Sequence, residues 1–184
     1  MERLDRLQRA AILTELMDRL RDAGSWCGET HVQKAVYFLQ EAFEVPLGYT
    51  YIFYKYGPYS FDLTEDLTAL RADYLIDWNH RSPGYGPSLI PTPWSGQLRE
   101  RYPKTLEKYR PAIQSVAQAL GKKDVKELEK LATALYVTRQ AGASSDVDSR
   151  ARRLRELKPH VSLEEAQAAV DEVDQICQRA TVTH

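Results

Sequence analysis

Two places in the sequence put a nucleophile or an amine beside groups that could activate it. In SWCGETH, Cys27 precedes Gly28 and stands four residues before His31, so an imidazole could take the proton from a thiol. The plainer reading, a half-buried thiol at the approach to a helix, is preferred. Lys34 lies in HVQKAVYFLQ, on a helix whose apolar stripe includes Val32 and Leu39. A snorkelling lysine with its stem along the core is expected there in preference to a catalytic amine. Glu65 and Asp66 are adjacent in FDLTEDL, but neighbouring helical residues point about 100° apart and do not share a proton-handling site. A solvated face is expected. His31, His80, His160 and His184 fall in different segments without metal-ligand spacing. No G-x-S-x-G elbow, P-loop, dinucleotide fingerprint or H-E-x-x-H is present. No catalytic residue, metal or cofactor is therefore expected.

Binding chemistry is better represented. YKYGPYSFDL, from Tyr54 to Leu63, crowds three tyrosines, a lysine and a Gly-Pro step together. Such a stretch could stack nucleic-acid bases or form a packed strand-to-helix corner. Tyrosine covers area at low entropic cost, so Tyr54, Lys55, Tyr56 and Tyr59, with Asp62 beside them, are the candidate contact residues for a protein partner. SRARRLREL holds Arg150, Arg152, Arg153 and Arg155, the alternative candidates for nucleic acid, together with a wing tip at Gly84-Tyr85-Gly86. The overall charge of −1 hides an asymmetry. Met1 to Trp94 carries 9 basic against 13 acidic residues, and Ser95 to His184 carries 16 against 13. The acidic half is the one with the tyrosines, which weighs against phosphate binding there.

These residues must be held by elements, and the periodicity predicts them. Leu13, Leu16, Met17 and Leu20 mark one helix face, stopped at Gly24. A second helix runs from about Thr30 to Phe43. Tyr49 to Tyr56 is β-branched and aromatic without helical repeat, and reads as a strand. After Gly57-Pro58, Ser60 is expected to cap a third helix carrying Leu63, Leu67, Leu70 and Tyr74, with Asp62 in its first turn. Leu75 to His80 and Leu89-Ile90 read as a hairpin around the RSPGYGPS loop. The rest is helical: one helix from Pro103 to Gly121, one opened by Asp124 and Glu127, a loop from Gln140 to Ser149, and a last helix opened by Ser162 and Glu165. The expected fold is mainly α (α+β). A winged-helix-like region with a small antiparallel sheet (1–94) precedes a helical bundle (95–184) packed on it as one domain.

With 184 residues, 43% hydrophobic and 28% charged, the chain suits a globular domain. The mixed charges of the N-terminus do not suit a signal peptide, and no apolar run reaches membrane-span length. Two distant cysteines fit a reducing compartment, so a cytoplasmic location is expected.

Several segments taken together point to a family. HVQKAVYFLQEAF resembles the lxKLxYFxQ helix of the YwgA-like and Panacea (SocA-like antitoxin) group of phage- and mobile-element-associated bacterial proteins. YKYGPYSFDLTEDLTAL resembles that group's F-x-x-Y-x-x-GPYS-x-x-L-x-x-DL-x-x-L segment, and LATALYVTR and LKPHVSLEEAQAAV are similar to its later helices. The resemblance spans about Thr30 to Val170 and is closer to the YwgA-like branch. It implies a mostly helical fold with a small sheet and no catalytic chemistry. It also implies a non-enzymatic, antitoxin-like or phage-defence role, exerted by binding a partner protein such as a toxin or defence protein encoded nearby. A winged-helix nucleic-acid regulator is the alternative, and self-association into a homodimer is open.

Overall fold

The computed structural model describes residues 4–80 and 86–182. Among them are eight helices and two short antiparallel hairpins, in the order α1 (Arg6–Asp22), α2 (Glu29–Glu41), β1 (Ile52–Tyr54), β2 (Gly57–Tyr59), α3 (Phe61–Ala72), β3 (Ile76–Asn79), β4 (Ser88–Pro91), α4 (Pro93–Glu100), α5 (Pro103–Leu120), α6 (Val125–Arg139), α7 (Val147–Leu157) and α8 (Leu163–Val182). The fold is mainly α with small sheets, as the periodicity predicts. None of the described helices is long and apolar enough to cross a membrane.

Helix α1 is buried almost all round from Ala10 to Met17, because it is wedged between α4 and α5 on one side and β4 on another. Its start is fixed by Asp5 and Gln8, each accepting the other's backbone N–H. Helix α2 lies across α5 and α6, and α8 closes the layer against α6 and α7. One continuous apolar cluster joins residues of both halves of the chain, from Leu13 and Phe38 to Leu135 and Val173. Where α5 ends, Gly121 passes so close to the α1–α2 connection that a Cβ there would lie 2.4 Å from the Cβ of Ala23. The absence of a side chain at Gly121 is what lets the two segments touch.

Capping residues mark the element boundaries well. Asp124 with Glu127 and Ser162 with Glu165 form the expected reciprocal pairs. Several expectations require correction. Tyr49 to Tyr56 is not one strand: the chain turns at Lys55-Tyr56 into β2, with Tyr54 opposite Gly57 and Ile52 opposite Tyr59. The turn is possible because Gly57 takes φ +92°, a left-handed conformation that costs a glycine little. Gly57-Pro58 therefore belongs to the returning strand. Tyr74 leaves the α3 stripe, with φ +58° and its side chain exposed, because α3 ends at Ala72. Asp146 caps α7 by accepting from Ser149 N–H, which shortens the expected 140–149 loop. Helix α4, with Pro93 in its first turn, escaped the periodicity because eight residues contain too few apolar repeats. Of the wing tip, Gly84 and Tyr85 lie outside the described residues, as does His184; Gly86 accepts from Trp26 Nε1.

Candidate functional site

The first turn and a half of α2 and the β1–β2 hairpin are built against each other. Two consecutive residues of α2 make the joint. The amide of Gln33 is fully buried and grips the backbone of Ser60 at both ends: Oε1 accepts from Ser60 N–H at 3.0 Å, and Nε2 donates to Ser60 C=O at 2.8 Å. Ser60 in turn caps α3 through its hydroxyl, which accepts from Leu63 N–H. Lys34 follows. It is only 1% exposed, and its Nζ donates to the Pro58 carbonyl at 2.7 Å. The snorkelling expectation is thus corrected: the ammonium points inward, under the hairpin. The Q-K pair and the G-P-Y-S stretch are two halves of one clamp, and the spacing of each follows from the hydrogen bonds of the other.

A second buried cation supports the turn. Lys158, just after α7, donates to the Lys55 carbonyl at 3.4 Å and lies 3.5 Å from a Glu129 carboxylate oxygen on α6. Glu129 also acts on Lys34. Burial lowers the Lys34 pKa from 10.5 to about 8, Glu129 opposes that, and Lys158 reinforces it. A Cβ at Gly57 would come within 3.2 Å of Thr133 Oγ1 and 3.9 Å of Lys34 Nζ, so the hairpin rests on this cluster with no space for a side chain. On the other flank, the Phe53 ring packs on Tyr136 of α6, with ring centroids 4.9 Å apart.

The outer face of the hairpin is apolar and open. Tyr54, Tyr56 and Phe61 are each a little over half exposed, and Ile52 is nearly so. Tyr54, Tyr59 and Phe61 form a mutually packed trio with centroids 5.1–6.0 Å apart. Tyr59 is pinned from behind: its hydroxyl donates to Glu29 at 3.1 Å and lies 2.7 Å from Thr64 Oγ1. Burial is the main cause that raises its pKa. Lys55 is exposed with its ammonium 5.3 Å from the Tyr56 ring centroid. Asp62 is held toward the main chain, accepting from Thr50 N–H at 3.1 Å. Between the trio, Tyr56 and α2 lies a cavity of about 290 Å³ with Lys34 at its floor.

The predicted contact residues Tyr54, Lys55, Tyr56 and Tyr59 are therefore brought to one face, with Asp62 at its back. Phe61, Glu29, Thr30 and Lys34 belong to the same place and were missed. Phe61 carried a readable signal, a large apolar residue off the Leu63–Leu67–Leu70 stripe.

The other candidates are dispersed. Arg150 is corrected as a phosphate-facing residue: it is 6% exposed and grips Asp174 of α8 with two hydrogen bonds of 2.7 Å. Arg152 and Arg153 are exposed, Arg153 pairing with Glu156, and Arg155 Nε donates to the Val161 carbonyl. Cys27 is fully buried with φ +55°, its carbonyl accepting from Leu89 N–H, and burial pushes its thiol up to about 12. His31 faces Ser25 Oγ at 2.8 Å through Nδ1, and burial pushes it down to about 4. A buried, protonated thiol and a neutral imidazole tied to a serine are not an activated pair. The two carboxylates separate as expected, but the solvated face is corrected for Asp66, which is largely covered and accepts from the Tyr49 hydroxyl and from Arg9, while Glu65 faces solvent. Among the described residues no group of three His, Cys, Asp or Glu side chains could hold a metal ion. Comparison with protein-family models and with curated proteins finds no match to this chain.

Proposed function

We propose that this chain is a non-enzymatic protein-interaction module whose docking surface is the outer face of the β1–β2 hairpin and the start of α3. The observation that carries the reading is the trio Tyr54–Tyr59–Phe61 with Tyr56, exposed as a group yet mounted on a clamped hairpin. Exposed aromatic rings on a rigid support lose little entropy when covered, and aromatic anchors of this kind dominate interface energies. A single exposed tyrosine would mean little; four neighbouring rings make a patch of the kind that marks a binding site. The partner chemistry is a protein surface with apolar side chains to cover the rings. The resemblance of HVQKAVYF and YKYGPYS to the YwgA-like and Panacea group supports an antitoxin-like or phage-defence setting, with a partner encoded nearby and a cytoplasmic location. Action would be steric, the partner's working surface being occluded by the docked hairpin.

Co-expression with the products of neighbouring genes, followed by co-purification, tests this reading. Wild type is expected to capture one of them. Tyr54→Ala combined with Phe61→Ala is expected to weaken capture by roughly tenfold or more without loss of fold. Capture unaffected by that pair of substitutions, or no capture of any neighbour, rejects it.

A further inference from the structure

Beneath the docking face the charges do not balance. Lys34 and Lys158 are 1% and 6% exposed; Lys158 lies 3.5 Å from the Glu129 carboxylate, which is itself mostly covered and, among the described residues, is the acid that acts on Lys34. An ammonium has three donors; the Pro58 carbonyl takes one from Lys34. Lys34 is the most deeply buried of the charged residues that line the 290 Å³ cavity, and the exposed rings of Tyr54, Tyr56 and Phe61 line the same cavity. Helix α2 begins at the same mouth with no side-chain cap on its first N–H groups, so its dipole adds positive potential there. We infer that this cavity is a recognition pocket for the carboxylate of a glutamate or aspartate side chain in a partner segment that crosses the aromatic rim.

A cationic guest is the obvious competitor, since aromatic rings and the Glu29 carboxylate lie at the rim. The two charges are not equal in effect. Glu29 is exposed, screened by water, and its Oε1 already accepts from Tyr59 and Thr64. Lys34 is buried, where a charge acts through a much lower effective dielectric, so the floor decides the sign of the guest. The burial of Lys34 behind exposed rings decides its shape. A side-chain carboxylate on a methylene stem reaches a floor that a main-chain terminus would enter only by dragging its backbone between the rings. Flanking apolar residues then lie on both sides of the rim, against Tyr54 and Phe61 on one and Tyr56 on the other. The inference rests on the docking role proposed above and adds to it the chemistry of the anchor.

The test uses a blocked pentapeptide with a central glutamate between leucines, its glutamine counterpart, and its lysine counterpart. Binding is followed by NMR through the Lys34 side-chain signals of the wild-type protein, which needs no variant to fold. The glutamate peptide is expected to shift those signals and to bind roughly tenfold or more tightly than the glutamine peptide. Lys34→Met, which keeps the stem, is expected to remove that preference. Equal binding of glutamate and glutamine peptides, stronger binding of the lysine peptide, or an unmoved Lys34 signal overturns the inference. Capture of a natural partner that is lost in Tyr54→Ala with Phe61→Ala but unchanged in Lys34→Met leaves the docking role standing and rejects the carboxylate anchor alone.

Discussion

Replacing Lys34 by methionine separates two opposed effects of one side chain. The Pro58 carbonyl loses its donor, and a hydrogen bond from a charged group contributes roughly 1.5–3 kcal/mol. Against this stands the cost of the buried charge. Burial, opposed by Glu129 and aided by Lys158, brings the pKa from 10.5 to about 8. Below about pH 8 both folded and unfolded chains hold the proton, and the folded state carries the full cost of burying it. Between about 8 and 10.5 the unfolded chain keeps the proton while the folded chain has released it. The unfolded state then binds more protons, so stability rises with pH across that window. At roughly 1.4 kcal/mol per unit the gain is about 3 kcal/mol. Other groups move the opposite way: burial pushes the Cys27 thiol up to about 12 and raises the phenols of Tyr37, Tyr49 and Tyr51. These act equally on both proteins, so the quantity to read is the difference between wild type and Lys34→Met. Urea unfolding followed by circular dichroism from about pH 7 to about pH 10.5 supplies it. The substitution is expected to be nearly neutral at the low end and to become destabilising by about 3 kcal/mol more at the high end. A difference that stays flat, or that shrinks as pH rises, refutes the placement of a charged amine under the hairpin.

Four further substitutions test the packing. Gln33→Ala leaves the Ser60 N–H without its buried acceptor, while the Ser60 carbonyl keeps Thr64, and is expected to cost about 2–3 kcal/mol in urea unfolding. Loss of chemical-shift dispersion in the hairpin amides should accompany it. Arg150→Ala strands Asp174 and is expected to cost about 2–3 kcal/mol, whereas Arg152→Ala, on the exposed side of α7, is expected to fall within about 0.5 kcal/mol. Equal costs would mean that Arg150 is not the structural member of the run. Gly121→Ala drives a methyl group into Ala23 and is expected to lower stability by about 1–3 kcal/mol, readable as a drop in melting temperature.

Element existence was legible because it is local. The stripe Leu13–Leu16–Met17–Leu20 needs only its own helix to be recognised, and the caps at Asp124 and Ser162 need only the next three residues. The errors fall where a distant residue decides. Tyr49 to Tyr56 has the composition of one strand; its fold back at Lys55 uses the left-handed turn at Gly57, and Lys158, more than a hundred residues away, supports it at the Lys55 carbonyl. Lys34 reads as a snorkelling lysine from its helix alone, since periodicity says which face is apolar but not what covers it. Arg150 looks like its neighbours in SRARRLREL until Asp174 is placed beside it by α8.

In the proposed reading, the GPYS corner is a folding device whose outer side serves as the binding surface. The hydroxyl cap of Ser60, the carbonyl of Pro58 and the left-handed turn at Gly57 are all spent on holding the hairpin against α2. What remains free is the outward side of the same residues, and strand alternation determines which side that is. In β1, Phe53 turns inward onto Tyr136, so Ile52 and Tyr54 must turn outward. A clamp strong enough to bury a lysine fixes those outward rings in place, and rings already fixed give up little freedom to a partner. The acidic character of this half of the chain disfavours nucleic acid as that partner; at the hairpin Lys55 is exposed beside Tyr56, and Lys34 and Lys158 are buried below the rings. Tightening of the clamp and readiness of the surface are therefore one property. A substitution such as Gln33→Ala should weaken partner capture in proportion to its loss of hairpin order, although Gln33 offers no exposed atom to the partner.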